Sequence, residues 1–361
     1  MGRAPELDAD PSPSTASERR RRDSITVSQQ AETYLRGIPP DPSLTAGAES
    51  ALQHALGLVA GDRFVLIVEA GACSIGAALL DAADRLGLDT RCYVVDTAQS
   101  RVASLIERLN LQLCEAAGSI LVSRPGELDP NFRRRVCAHD HPRRHGHMAG
   151  VTEAMMRQSM RANYTEVHAL GERLCARLAS ARELDLVTGP QAVLRVRTAE
   201  ANRWHNGSGL LRAPGFTNLP GGEVVTCPGS VEGDLMADGG VWAPDGSRLR
   251  VRRLRFRAGR LVDADGPDAA RLGTLLDEHP EGRRVGQLAF GTNLEVLTPI
   301  GAVLQDLKMP GVHLVLGYSC PEHTGAAWNS SVAIPVLCRR PDVAIDGEPV
   351  MVRGRYARAL L

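Results

Sequence analysis

Between residues 46 and 122, apolar runs of strand length alternate with segments of helical period, and this alternation constrains the fold more than anything else in the chain. A helix over Ala46 to Gly57 precedes the apolar strand Arg63-Phe64-Val65-Leu66-Ile67-Val68. A helix over Ser74 to Leu86, a strand over Arg91 to Val95, a helix over Ser100 to Ala117 and a strand over Ser119 to Val122 follow. Strand and helix in strict turn predict a parallel, doubly wound α/β sheet, because parallel neighbours need a crossover and a helix supplies it. The turn Gly71-Ala72-Cys73-Ser74-Ile75-Gly76 after the first strand lacks the glycine spacing of a nucleotide-binding loop, so it reads as a helix start capped by Ser74.

The remainder follows a different rhythm. Residues 1–24 are rich in Pro, Ser, Ala and charge and read as a disordered tail. The α/β domain is expected over 25–150, a long connecting helix over 151–184 (amphipathic from Thr152 to about Ala181), and a mostly antiparallel β-rich domain over 185–361. In the last, Ala192 to Arg197, Val224 to Cys227, Leu249 to Arg257 and Gly259 to Ala264 read as strands, and Asp268 to Glu278 as a helix. Four of the ten histidines fall within His139-Asp140-His141-Pro142-Arg143-Arg144-His145-Gly146-His147. With its proline and without helical ligand spacing, this segment reads as a loop lining a polar or anionic cleft. Arg143 and Arg144 would contact an anion there, and Arg144, His145 and His147 would touch substrate.

Composition excludes some classes of partner. Lys plus Arg and Asp plus Glu balance at 42 each, so neither nucleic acid nor a membrane surface is an expected partner. No apolar run reaches membrane-spanning length. The 8 cysteines lack paired spacing in a chain of 361 residues, which points to reduced thiols and a cytoplasmic protein. Lys308 is the one lysine in a chain whose basic residues are otherwise arginine, as though a compact ammonium were wanted there.

Three segments of the second half carry the candidate chemistry: Asn218-Leu219-Pro220-Gly221-Gly222-Glu223, then Gly286-Gln287-Leu288-Ala289-Phe290-Gly291-Thr292-Asn293, then Asp306-Leu307-Lys308 followed by His313 and by Thr324 to Ser330. In this order and spacing they resemble the aminopeptidase T family of metallo-aminopeptidases, including its branch of 2,5-dihydroxypyridine dioxygenase-like enzymes. The resemblance runs over nearly the whole chain after the tail. It implies a metal-binding glutamate at Glu223 and a ligand histidine at His313, and it implies a homodimer. It also implies ligands at Gln287, Leu307, Ala333 and Pro335, where this chain has none to offer. Two ligands do not ordinarily hold a catalytic divalent ion.

The expectation is therefore a diverged enzyme of this fold with a depleted metal site, acting on a small-molecule or peptide-like substrate in specialised metabolite biosynthesis. Metal-independent acid/base catalysis would use Glu223, His313, Lys308 and Asp306, with Trp328 and Gln287 lining the pocket beside Arg144, His145 and His147. Tyr318 or Cys320 is expected in the same cleft. No cofactor is expected; a single Zn or Fe ion, if held, would use Glu223, His313, Glu322 and His323. Two alternatives stand beside this reading. One is a non-catalytic binding or scaffold homologue partnering an active enzyme. The other is a metallo-aminopeptidase or iron dioxygenase with unconventional ligands.

Overall fold

The computed structural model describes residues 28–95, 102–126, 130–137 and 143–361. The tail expected at 1–24 lies outside these, as do His139, Asp140, His141 and Pro142. The chain divides into two compact units, one running up to Glu153 and including Leu211–Phe216, the other comprising Ala154–Leu210 and Thr217–Leu361.

The first unit is built on a five-stranded sheet in the order β2-β1-β3-β4-β8, the last being the short strand Gly215–Asn218. Strands β1 (Arg63–Glu69), β2 (Asp89–Val95), β3 (Gly118–Ser123) and β4 (Arg144–Ala149) are mutually parallel. Helices α1 (Cys73–Leu86), α2 (Val102–Glu115) and α3 (Pro130–Cys137) make the crossovers. Every residue of β1 after Arg63 is buried, as is all of β3, which is why their sequences are continuous apolar runs rather than alternating ones. Val65, Ile67, Tyr93, Leu109, Leu121, Phe132 and Val136 form one core of this unit. α1 ends in the left-handed residue Gly87.

Three expectations are corrected here. The segment from Arg144 is not a loop but a strand, pairing residue for residue with β3 from Gly118↔Arg144 to Ser123↔Ala149. Ser74 does not cap α1: the residue before the helix is Ala72, and the Ser74 hydroxyl donates instead to Glu153 at 2.6 Å. The long helix expected from Thr152 is broken into a turn at Glu153–Met156, a short 3-10 segment at Ser159–Arg161, and α4 (Tyr164–Leu178), whose first turn is capped by the Asn163 side chain.

The second unit holds two antiparallel sheets. One has eight strands and includes β5 (Glu183–Gly189), β6 (Ala192–Arg197), β10 (Ser230–Met236), β13 (Arg253–Arg257) and β14 (Arg260–Asp265). The other has seven, in the order β12-β11-β17-β16-β15-β9-β7, with β7 (His205–Asn206), β9 (Glu223–Thr226), β11 (Gly240–Trp242), β12 (Arg248–Leu249), β15 (Val285–Gly291), β16 (Gly311–Gly317) and β17 (Ala333–Cys338). Leu184, Leu194 and Phe256 from the first sheet, and Val224, Phe290, Val312 and Leu314 from the second, belong to one hydrophobic core with Leu170 and Leu174 of α4. The fold is an α/β unit plus a β-rich unit.

The turn entering β9 is tight. Gly222 has φ +124°, a conformation open essentially to glycine alone, and a Cβ there would lie 2.6 Å from the Cβ of Asn293. Its neighbour Glu223 inherits its position from this close approach. Gly222→Ala should destabilise the protein by about 2 kcal/mol. A urea unfolding midpoint unchanged from the parent would contradict this.

Candidate functional site

Strand register decides which side chains meet. β15 lies between β9 and β16, with Gly291 opposite Glu223 and Ala289 opposite His313. Residues 289 and 291 share a face of β15, so Glu223 and His313 emerge on that same face, above a strand that contributes only a methyl group and a hydrogen there. Their neighbours Val224, Phe290, Val312 and Leu314 point the other way into the core. The close approach at Gly291 is enforced from outside the sheet, since a Cβ there would lie 1.8 Å from the Met309 carbonyl oxygen.

Lys308, just before β16, is tied down through its backbone. Its N–H donates to the Gln305 carbonyl at 2.8 Å, and its carbonyl accepts from the Asn293 N–H at 3.0 Å. Its ammonium Nζ lies 2.6 Å from Glu223 Oε1, and His313 Nε2 lies 3.5 Å from Oε2. The three side chains form one charged cluster in which Glu223 uses both oxygens. Lys308 and His313 are buried, whereas the Glu223 side chain keeps a quarter of its surface exposed. Glu223 is thus the member a ligand can reach. Burial alone would push its carboxyl up, but the Lys308 charge and the imidazole of His313 outweigh that and hold it below the usual carboxylate range. Among the described residues His313 Nδ1 is buried without a hydrogen-bond partner.

A second group borders the same face. His205 on β7 pairs with Val225, two residues along from Glu223, and its ring stacks on His323 at 4.0 Å and 12°. Burial and the neighbouring His323 lower the His205 pKa, with the Glu223 charge opposing them. Cys320, Glu322 and His323 bring one ligating atom each within 4.8 Å of the others. The Tyr318 hydroxyl donates to Glu322, and burial followed by the Glu322 charge pushes the Cys320 thiol up to about 12. No motif marks His205, which sits on a two-residue edge strand; only its register with β9 reveals it.

Other candidates have different roles. Asp306 does not join the cluster: its carboxylate accepts from the Ile300 and Gly301 N–H groups, each at 2.9 Å, and so pins the turn before Lys308. Burial raises its pKa. Gln287 donates to the Tyr318 carbonyl at 2.9 Å, and Trp328 lies under the Arg284 guanidinium at 4.1 Å. Arg144, His145 and His147 belong to the first unit. Arg144 donates to the Gly57 carbonyl at 2.8 Å and pairs with Asp62 at 3.3 Å, and buried Arg143 donates to Ser119 Oγ at 2.7 Å and to the Val136 carbonyl. Both guanidiniums are spent on holding β4 in place, which corrects their expected part as anion contacts.

The donor set does not fit a dinuclear metal centre. Leu307 is packed against Trp242 and Leu337, Gln287 is a neutral amide bonded to backbone, and Ala333 and Pro335 carry no ligand atom. The one carboxylate in place is already neutralised by an ammonium.

No family model matches the chain, and no curated protein matches it. Solved structures do. Wild-type AmpT (aminopeptidase T) from Thermus thermophilus is 20% identical, with a TM-score of 0.63 over 87% of this chain and 99% of that one. The 2,5-dihydroxypyridine dioxygenase of Pseudomonas putida is 14% identical, with a TM-score of 0.64 over 88% of this chain and 99% of that one. The chain has an aminopeptidase T-like fold, and at these identities the likeness is one of fold.

Removing one member of a buried ion pair leaves the other uncompensated. Lys308→Met should cost about 3 kcal/mol of stability. Glu223→Gln with Lys308→Met together should cost less than the sum of the two single changes by at least about 1 kcal/mol. Additive denaturation energies across the four proteins would show that the pair is not coupled.

Proposed function

We propose that this protein is an enzyme acting on a small-molecule or peptide-like substrate by acid/base chemistry that needs no bound divalent ion. The observation that carries this reading is the Lys308 ammonium 2.6 Å from Glu223 Oε1, which supplies the positive charge that a metal would otherwise bring to that carboxylate. Glu223, the exposed member, takes the proton; held below the usual carboxylate range it is a weak base at rest, so the transfer depends on the Lys308 charge passing to the substrate in the same step. Its hold on the ammonium weakens as it does so, and the Lys308 charge becomes available to negative charge developing on the substrate. His313, behind the carboxylate, shares the charge and fixes its orientation. His205 borders the carboxylate from the neighbouring edge strand. A cleft reassigned in this way suits a specialised biosynthetic step, carried out in the cytoplasm by a homodimer.

A second reading, a metalloenzyme with unconventional ligands, is favoured by the Cys320, Glu322 and His323 group, whose donor types suit Zn or Fe. It ranks second because the Glu322 carboxylate is already engaged by Tyr318.

Turnover of a panel of aminoacyl arylamides, dipeptides and small amides, with and without chelator, tests both. The account expects chelator-resistant turnover whose kcat/KM falls by about 100-fold or more in Glu223→Gln, with the fold retained by circular dichroism. Turnover abolished by chelator and restored by Zn or Fe would favour the second reading. A Glu223→Gln protein as active as the parent would remove the first.

A further inference from the structure

A second constellation lies in the first unit, far along the chain from Glu223 and unused by the proposed chemistry. His145 and His147 occupy alternate positions of β4 opposite Ser119 and Leu121, so both imidazoles stand on one face of the parallel sheet. Each residue is only 2% exposed. Their ring centroids are 5.9 Å apart, and the Phe216 ring lies 6.4 Å from one and 5.9 Å from the other. Cys137, the last residue of α3, brings its sulfur 3.4 Å from His147 Nδ1. One ligating atom from each of the three residues falls within 4.8 Å of the other two.

Polar groups of this kind are not buried together without a reason. Of the two ring nitrogens of His147, Nδ1 faces a thiol, a weak partner, and Nε2 is buried with no hydrogen-bond partner among the described residues. His145 is oriented from behind: its Nδ1 lies 2.8 Å from Ser119 Oγ, which is held by the Arg143 guanidinium. A ligating histidine characteristically has its other nitrogen fixed by such a partner.

We propose that Cys137, His145 and His147 form a three-ligand site for a thiolate-seeking closed-shell metal ion, Zn²⁺ or Cu⁺. Ligand bonds of about 2.0–2.3 Å place the donors of such a site about 3.5–4 Å apart, a small contraction from the observed cluster. Binding forms one sulfur–metal and two nitrogen–metal bonds and displaces the Cys137 thiol proton to water. Burial pushes the Cys137 thiol up to about 11, with the Arg133 and Arg143 charges opposing it, so the proton leaves only when the ion takes its place. With Cu⁺ the assembled cluster is neutral beside the Arg143 guanidinium, and with Zn²⁺ it carries one positive charge. Softness and charge balance therefore both favour Cu⁺, while the two imidazoles accept either.

The test uses the full-length protein stripped of metal and kept reduced. Zn²⁺ and Cu⁺ affinities are measured by competition with chromophoric chelators, and Co²⁺ serves as a spectroscopic probe for thiolate ligation. One equivalent of ion should bind, with a sulfur-to-cobalt charge-transfer band. Affinity should fall by at least about 100-fold in Cys137→Ser and in His147→Ala, and by about 10-fold in Ser119→Ala, whose hydroxyl only orients a ligand. Cys320→Ser and Glu223→Gln should leave the affinity unchanged, which separates this site from the chemistry proposed for the other unit. Failure of the parent protein to take up either ion would overturn the proposal. Retained affinity in both Cys137→Ser and His147→Ala would overturn it equally, and retention does not depend on a fragile variant.

Discussion

A carboxylate can sit among packed strands only if its charge is met there, and the arrangement of the β-rich unit follows from meeting the charge of Glu223. The seven-stranded sheet has one face committed to the core through Val224, Phe290, Val312 and Leu314, so whatever alternates with those residues must face the other way. Glu223 and His313 alternate with them and meet over Ala289 and Gly291 because no large side chain stands between. Lys308 completes the set from the turn before β16. That turn is held by Asp306, whose carboxylate accepts two backbone N–H groups, and by the Asn293 N–H on the Lys308 carbonyl. An ion pair built this way gives Glu223 a fixed charge and a fixed direction; the direction serves acid/base chemistry, while the charge lowers the basicity of the carboxylate until the ammonium is drawn away.

Much of the architecture was legible in the chain because its period is honest where burial is simple. The fully buried strands β1 and β3 read as continuous apolar runs, and the helices between them carry helical periodicity, so the parallel sheet followed directly. β4 was not legible. Arg144-His145-Gly146-His147-Met148-Ala149 contains no β-branched residue, and its strand character comes from pairing with β3, a tertiary effect that outweighs local propensity. The helix expected from Thr152 failed for the opposite reason. Its amphipathic pattern continues through Ser159 and Asn163, but Asn163 caps a new helix instead of continuing an old one.

The candidate site divides along the same line. The pairing of Glu223 with Lys308 and His313 involves segments separated by more than 80 residues, and it entered the reading through the resemblance of three short motifs, not through any periodicity. Asp306 lies beside Lys308 in sequence yet serves the backbone, a distinction of side-chain direction that spacing does not carry. His205 had no signal, since two residues on an edge strand make no pattern; its place beside Glu223 depends on register with β9. Gln287, Leu307, Ala333 and Pro335 entered only through what the resemblance implies. In the folded chain Leu307 is part of an apolar cluster with Trp242 and Leu337.

The central claim is that Lys308 and His313 hold Glu223 ionised. A group whose folded pKa is depressed contributes stability that is present above its unfolded pKa, about 4.3 for a glutamate, and is lost as pH falls through the folded value. The direct measurement is a carbon-13 NMR titration of the glutamate side-chain carboxyls, with the Glu223 resonance assigned by its disappearance in Glu223→Gln. The account predicts a Glu223 signal that stays at the shift of an ionised carboxylate while the exposed glutamates titrate. A Glu223 signal that titrates with them, unchanged by Lys308→Met, would contradict it.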